Sequence, residues 1–226
     1  MQRTMWSAIL LVLLLLPLAA YANDELLKLQ KDPGQWVMQR KNYAATGYSD
    51  LNQITADNVK KLKVAWTFST GALRGHEGAP LVVGTTMYVH SAFPNHVYAL
   101  DLTKQPYAVK WNYSPKQDAK AVPVACCDVV HRGLNYVEGK IIMHTLDGQI
   151  IALDANTGKE LWKVKNADPA KGETMTGAGL VKGGSKGAAA PGAGTPTIQS
   201  STCCTIRLAT QVRGTPTSAK GTTSGP

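Results

Sequence analysis

The chain has 226 residues, of which 44% are hydrophobic and 17% charged, and its formal net charge is +9. Five basic and no acidic residues lie in residues 179–226, and Arg3 lies near the start, so residues 23–178 carry only +3. The positive charge therefore defines no basic patch on the main part of the chain. No basic segment with interleaved aromatic residues is present either, so composition gives no support for nucleic-acid binding.

Residues 1–22 have the organisation of a secretory signal peptide. Arg3 is followed by an apolar run at 9–16 and by the small-residue pattern Ala20-Tyr21-Ala22, which predicts cleavage before Asn23. The apolar run is too short to span a bilayer, and no cysteine stands at the cleavage point to accept a lipid. We expect an exported, periplasmic chain with no membrane span.

Two short helices are expected next, over residues 24–31 and 55–62. Thr55 is the expected N-cap of the second helix, and lysines lie near its end, where they favour the helix dipole. Both helices are expected to brace the start of the propeller that the following repeat predicts.

An internal repeat is the strongest structural signal. The strings MYVH (87–90) and VYALD (97–101) before Trp111 recur as IIMH (141–144) and IIALD (150–154) before Trp162. Equivalent positions are 51 to 54 residues apart, and Trp66 precedes Trp111 by 45. This is the period of a β-propeller blade of four short strands.

The repeat predicts an all-β fold in which each Trp covers the junction to the next blade. Residues 23–178 have room for only two or three blades, whereas closed propellers have about four to eight. A partial propeller is therefore expected.

Cys126 and Cys127 are neighbours. A disulfide between them would close a strained eight-membered ring, because adjacent Cα atoms are only about 3.8 Å apart. An oxidising compartment permits such a bond. Two unpaired thiols, or pairs with Cys203 and Cys204, are the alternatives that the residues themselves leave open.

Four motifs in order resemble quinoprotein alcohol dehydrogenases, and in particular the lanthanide-dependent methanol dehydrogenases. The resemblance covers essentially all of residues 23–178. The motifs are WTFSTG (66–71), RGHEGAP (74–80), CCDVVHRG (126–133) and GETMTGA (172–178).

This resemblance implies an eight-bladed propeller that holds pyrroloquinoline quinone (PQQ) and a lanthanide or calcium ion. It implies that Cys126 and Cys127 form a disulfide against one face of the quinone. Arg132 and Glu77 would contact the polar edge of PQQ, and Thr176 its carboxylate region. The family oxidises primary alcohols in the periplasm and passes electrons to cytochrome c, and a homodimer is expected only for the full-length protein.

Each candidate residue also has a plainer interpretation. Glu77 or Arg132 alone is more often a solvated surface charge, and Thr176 alone a strand residue. His76, His90 and His144 are interpreted as structural, because no metal-ligand spacing joins them.

Residues 179–226 contain no Trp, Tyr or Phe and are rich in small and polar residues, so they are expected to be disordered. The neighbouring reading frame can spell family-like sequence, WGWYSYDPKLNLLYYST, beneath residues 192–208. We therefore interpret the tail as out-of-frame translation after a deletion near Ala178. On this interpretation Cys203 and Cys204 are accidental.

Functional expectations follow from the family motifs. The catalytic Asp, metal-binding Glu and metal-binding Asn of the family have no counterpart at matching positions, so the chain alone is expected to be inactive. One alternative is a non-catalytic propeller scaffold of the outer-membrane assembly lipoprotein type, which shares the blade repeat. That type should carry a lipid-accepting cysteine and lack the Glu77, Cys-Cys and Arg132 set. A third possibility is an unfolded relic.

Overall fold

The computed structural model describes residues 24–125, 128–182 and 197–200. Several predicted features lie outside these ranges: the signal peptide at 1–22, the pairing of Cys126 with Cys127, Cys203 and Cys204, and most of the tail.

Two four-stranded antiparallel sheets follow each other along the chain, and each has its strands in sequence order. Sheet 1 consists of β1 (Leu81–Val83), β2 (Thr86–His90), β3 (Val97–Asp101) and β4 (Ala108–Tyr113). Sheet 2 consists of β5 (Asn135–Val137), β6 (Lys140–His144), β7 (Gln149–Asp154) and β8 (Glu160–Lys165).

The two sheets share the details of their strand pairing. Between the third and fourth strands, the register shifts between Ala99 and Leu100 in sheet 1 and between Ala152 and Leu153 in sheet 2. These bulges are at equivalent positions of the repeat. The repeat predicted from the sequence is thereby confirmed, with two blades.

One hydrophobic core joins the two sheets. Residues of β6 and β7 such as Ile141, Ile151 and Leu153 are fully buried, because both faces of these strands are covered. The outermost strand, β8, is largely exposed. Each buried aliphatic side chain contributes about 1.5–3 kcal/mol relative to an exposed one, so the central strands dominate the stability of the pair.

Trp111 lies at the junction between the sheets. Its Nε1 donates a 3.0 Å hydrogen bond to the carbonyl oxygen of Ala155, which follows β7. Its ring packs on Gly158, where an added Cβ would lie 2.6 Å from ring carbons. The predicted covering of a blade junction by a repeated tryptophan is therefore confirmed for Trp111.

Helices are few and short. Helix α1 (Asp24–Leu29) buries Leu26, and the Glu25 carboxylate accepts hydrogen bonds from the Tyr136 hydroxyl at 2.8 Å and the Glu138 amide at 3.1 Å. The helix thus braces sheet 2, the second of the two blades, whereas its predicted contact is at the start of the propeller. Within the described ranges, no helix is long and apolar enough to cross a membrane.

The predicted helix over residues 55–62 is wrong in extent and in its cap. Only Val59–Lys61 forms a 3₁₀ turn, preceded by Asn58, whose Oδ1 accepts the Thr55 amide at 2.8 Å. Val59 and Leu62 are 45% and 59% exposed, so no apolar face is buried. A short helix without tertiary packing is not stable in water.

The segment around Trp66 forms neither helix nor strand. Side chains attach it to sheet 1: Phe68 lies 5.0 Å from Tyr98 between ring centroids, and the Tyr98 hydroxyl donates to the Thr70 carbonyl at 2.9 Å. Trp66 similarly contacts Tyr107 at 4.8 Å. The chain therefore follows the outside of sheet 1 without joining its ladder.

The tail also differs from the predicted disorder in two segments. Strand β9 (Gly179–Lys182) pairs with β10 (Thr197–Ser200) in an antiparallel two-stranded sheet. Val181 is buried in the main core, and the Asn135 side-chain amide donates to the Gly179 carbonyl at 2.5 Å. The folded part consequently extends a few residues past Ala178, because Val181 finds an apolar environment there.

Candidate functional site

Two loop segments, residues 74–78 before β1 and 128–132 before β5, lie side by side. Two ion pairs join them, and each segment supplies one cation and one anion. Arg74 pairs with Asp128 at 3.8 Å, and Arg132 Nε pairs with Glu77 Oε2 at 3.0 Å. The structure therefore brings together Glu77 and Arg132, although 54 residues separate them.

Thr176 joins the same cluster from the segment that precedes β9. The Arg132 guanidinium donates through Nη1 to the Thr176 hydroxyl at 2.6 Å, and the Arg132 backbone amide donates to the Thr176 carbonyl at 3.0 Å. Arg132 is thus held by its backbone amide and by two nitrogens of its guanidinium group, Nε and Nη1. Three of the five predicted site residues form one connected group, which we call the Glu77–Arg132–Thr176 cluster.

The cluster remains accessible to a ligand. The Arg132 side chain is 37% exposed and that of Glu77 is 50% exposed. An ion pair in this setting contributes little to stability, about 0–1 kcal/mol. A guanidinium with fixed orientation is, however, suited to bind carboxylate or quinone oxygens through two parallel hydrogen bonds.

The adjacent cysteines lie outside the described residues, but the chain on both sides of them is described. A 3₁₀ turn (Ala119–Val124) leads to Ala125, and the chain resumes at Asp128, which pairs with Arg74. Asp128 has a positive φ of 62°, a backbone conformation uncommon outside glycine. The disulfide between Cys126 and Cys127 stays a prediction from the family resemblance.

Buried histidines lie beneath the cluster. His90, at the end of β2, has Nε2 2.9 Å from the His131 carbonyl oxygen. Its ring stacks on His76 at 5.4 Å and meets the His131 ring edge-on at 4.6 Å. His144, at the end of β6, has Nδ1 3.2 Å from the Gly177 carbonyl oxygen.

Burial keeps these imidazoles neutral. It lowers the pKa of His90 to about 4 and lowers the pKa of His131 well below its usual value. Burial also lowers the pKa of His144. Neutral imidazoles bonded to backbone carbonyls agree with the structural interpretation of His90 and His144. In the part of the chain that the structure describes, no group of three or more His, Cys, Asp or Glu is placed to hold a metal ion.

Sequence reasoning missed three residues of this region: Arg74, Asp128 and His131. Arg74 and Asp128 lie within the family-like motifs but have no distinctive chemistry alone. His131 directly precedes Arg132 in such a motif, but its residue type gives no sign of its role. His131 contributes to this region through its backbone carbonyl and its ring packing.

The fold shows which class of protein this is. The two repeated four-stranded sheets, each with its strands in sequence order, are blades of a partial β-propeller. Residues 36–164 match the family model for the β-propeller domain of PQQ-type glucose, ethanol and alcohol dehydrogenases. The chain belongs to this family.

Known proteins agree with the family assignment. The chain is 75% identical over 162 residues to a lanthanide-dependent methanol dehydrogenase of Methylacidiphilum fumariolicum, covering 72% of this chain and 26% of the relative. It is 51% identical to methanol dehydrogenase [cytochrome c] subunit 1 of Methylobacterium organophilum, covering 70% of this chain and 26% of that protein.

A solved structure of a europium-containing methanol dehydrogenase is also similar, with a TM-score of 0.70 and 75% identity over 71% of this chain and 28% of that one. The chain thus spans about a quarter of the length of the curated relatives that it matches. The alternative of a non-catalytic scaffold is not favoured, because the matching family and these relatives are dehydrogenases.

Proposed function

We propose that this chain is the N-terminal part of a periplasmic PQQ-dependent dehydrogenase that oxidises methanol and other primary alcohols. The observation that carries the proposal is the Glu77–Arg132–Thr176 cluster, in a chain 75% identical to a lanthanide-dependent methanol dehydrogenase. Cytochrome c is the proposed electron acceptor, and a homodimer is proposed only for the full-length protein.

The residues present fit one edge of the cofactor. PQQ is planar and carries carboxylates and quinone oxygens, and Arg132 presents guanidinium donors that match such acceptors. The Glu77 carboxylate holds Nε of that guanidinium at 3.0 Å, and the Thr176 hydroxyl accepts from Nη1 at 2.6 Å. Arg132 would therefore bind the polar edge with its orientation already set, and Cys126 and Cys127 would pack on one face.

When bound, PQQ supplies the two-electron acceptor for alcohol oxidation. This chain would contribute binding and orientation, while the metal ion (lanthanide or calcium), its carboxylate and amide ligands and the proton-accepting Asp would come from sequence that the chain lacks. We therefore propose that it binds PQQ weakly and oxidises no alcohol by itself.

The test is a PQQ titration of the purified chain, followed by tryptophan fluorescence, with dye reduction by methanol assayed in parallel. Binding without dye reduction is expected, with or without added lanthanide or calcium. Arg132→Gln should weaken PQQ binding about tenfold or more, because a charge-assisted pair is lost.

Arg74→Gln is the matched control, since Arg74 also pairs with an acidic residue of the neighbouring segment but lies outside the cluster. Equal loss in both variants, or none in either, would contradict the assignment of Arg132. Methanol-dependent dye reduction by the purified chain would refute the proposed inactivity.

A further inference from the structure

His90 and His144 occupy the same position in the two sheets. His90 is the last residue of β2 and His144 the last residue of β6. Each is 1% exposed. Within the repeat the two histidines are 54 residues apart, like the strings that precede them.

The imidazole of His90 contacts both the segment that carries Glu77 and the segment that carries Arg132. Its Nε2 is 2.9 Å from the carbonyl oxygen of His131, the residue before Arg132. Gly78, the residue after Glu77, approaches the same ring nitrogen: an added Cβ there would be only 1.9 Å from Nε2 and 2.9 Å from the His131 carbonyl oxygen. Only glycine permits this approach, so the position of the ring sets the spacing between the two segments.

His144 makes the corresponding contact one blade further on. Its Nδ1 lies 3.2 Å from the carbonyl oxygen of Gly177, the residue after Thr176. Because a carbonyl oxygen is only an acceptor, the ring nitrogen must donate in both contacts. His90 is therefore in the Nε2–H form, and His144 in the Nδ1–H form.

We infer that His90 and His144 are positioning residues, each of which holds a backbone carbonyl next to one member of the Glu77–Arg132–Thr176 cluster and so fixes Arg132 and Thr176 for cofactor binding. The inference rests on the proposed function. It goes beyond a core role, because the two bonds fall on the direct neighbours of Arg132 and Thr176, which are themselves joined by backbone and side-chain bonds.

Each imidazole is held by one hydrogen bond and by packing. The second nitrogens, His90 Nδ1 and His144 Nε2, have no partner among the described residues. Loss of the single donor would leave a carbonyl oxygen without its hydrogen-bond partner, which is unfavourable for a buried acceptor. The adjacent residue would relax away from its position, and binding geometry tolerates only about 0.5 Å of such displacement.

Different ring nitrogens are used at the two positions, and this difference provides the test. A Gln side chain places its amide nitrogen near the Nε2 position of histidine, whereas Asn places it near Nδ1. His90→Gln and His144→Asn should therefore keep the bond, while His90→Asn and His144→Gln should lose it. Each histidine thus has a variant that preserves the donor and a polar control that does not.

The readouts are PQQ affinity by titration, hydrogen exchange of the Arg132 amide, and the thermal midpoint. His90→Asn and His144→Gln should weaken PQQ binding about tenfold and accelerate exchange at Arg132 about tenfold. His90→Gln and His144→Asn should stay within about twofold of the parent chain in both measurements.

Equal PQQ affinity and equal exchange in all four variants would overturn the inference while leaving the proposed function intact. Unfolding of all four, or losses that follow the thermal midpoint without the crossed pattern, would assign the histidines to the core and overturn it as well. Failure of the parent chain to bind PQQ would instead refute the proposed function, and the crossed pattern of exchange at Arg132 would still decide the positioning role.

Discussion

Trp111 and Ala155 are joined across the two sheets by a hydrogen bond of 3.0 Å from the indole Nε1 to the carbonyl oxygen. The Tyr88 hydroxyl donates to the same oxygen, also at 3.0 Å. One carbonyl at the turn after β7 therefore fixes two aromatic side chains of sheet 1. The junction between the sheets therefore combines hydrophobic packing with directional hydrogen bonds, as is required when neighbouring blades keep a fixed angle to each other.

Two replacements of Trp111 should destabilise the pair of sheets to different extents. Trp111→Phe removes the indole donor and should lower the free energy of unfolding by about 1 kcal/mol. Trp111→Leu also loses much of the ring volume and should cost about 2–4 kcal/mol. Urea unfolding followed by circular dichroism measures both.

Trp162→Phe is the control for that series. Trp162 occupies the equivalent position of sheet 2, is only partly buried, and its Nε1 donates no hydrogen bond to a described residue. Its replacement should cost less than that of Trp111. A larger loss for Trp162→Phe would contradict the role assigned to the Trp111 junction.

Gly158 provides a second test of the junction. It has φ of +70°, and an added Cβ would lie 2.6 Å from the Trp111 ring. Gly139 has almost the same backbone, with φ of +71°, but no neighbour within 4 Å of an added Cβ. Gly139→Ala should cost about 1 kcal/mol from backbone strain alone.

Gly158→Ala should cost at least about 1–2 kcal/mol more than Gly139→Ala, because the indole must move as well. Thermal unfolding of the two variants gives the comparison. Equal destabilisation would mean that the indole adapts without penalty, contrary to the tight junction described above.

The two sheets could be predicted from the sequence because the patterns that specify them are local and occur twice. Strings such as IIALD, the turn residues after them and the following tryptophan specify hairpins wherever they occur. The incorrect predictions concern segments whose secondary structure depends on tertiary contacts. Thr55 and its neighbours have helical character, but Val59 and Leu62 find no apolar surface to cover. Val181 has such a surface in the core, and its segment forms a strand.

The candidate site depends on contacts that no local pattern encodes. Glu77, Arg132 and Thr176 lie in three separate loops, and their selection relied on the resemblance of whole motifs. The cluster that they form is visible only when the loops are placed by the two sheets. His131 was missed because its useful group is a backbone carbonyl, which every residue has.

The origin of the tail can be tested in the gene. We propose that residues 179–226 are translated out of frame, because the hidden frame of residues 192–208 can spell a tryptophan-rich sequence typical of the family. Nucleotide sequencing from the codon of Ala178 through residues 192–198 should show bases that encode WGWYSYD in the neighbouring frame of 192–198. A coding sequence that does not yield it would refute the frameshift, and the tail would then be a genuine extension.

Acid should destabilise the folded chain between about pH 6.5 and pH 4. Burial lowers the pKa of His90 to about 4 and that of His131 and His144 below their ordinary values, whereas the unfolded chain protonates histidine near pH 6.5. In this window the unfolded state binds more protons, so the free energy of unfolding falls as pH falls. Each histidine contributes up to about 1.4 kcal/mol per pH unit.

Urea unfolding at pH 7.5, 6.5, 5.5 and 4.5 measures this slope. His90→Gln should reduce the slope by close to one proton between pH 6.5 and pH 4.5, because one buried neutral imidazole is removed. An unchanged slope in His90→Gln would show that His90 binds its proton over the same pH range in the folded and unfolded chains, contrary to the buried neutral imidazole described above.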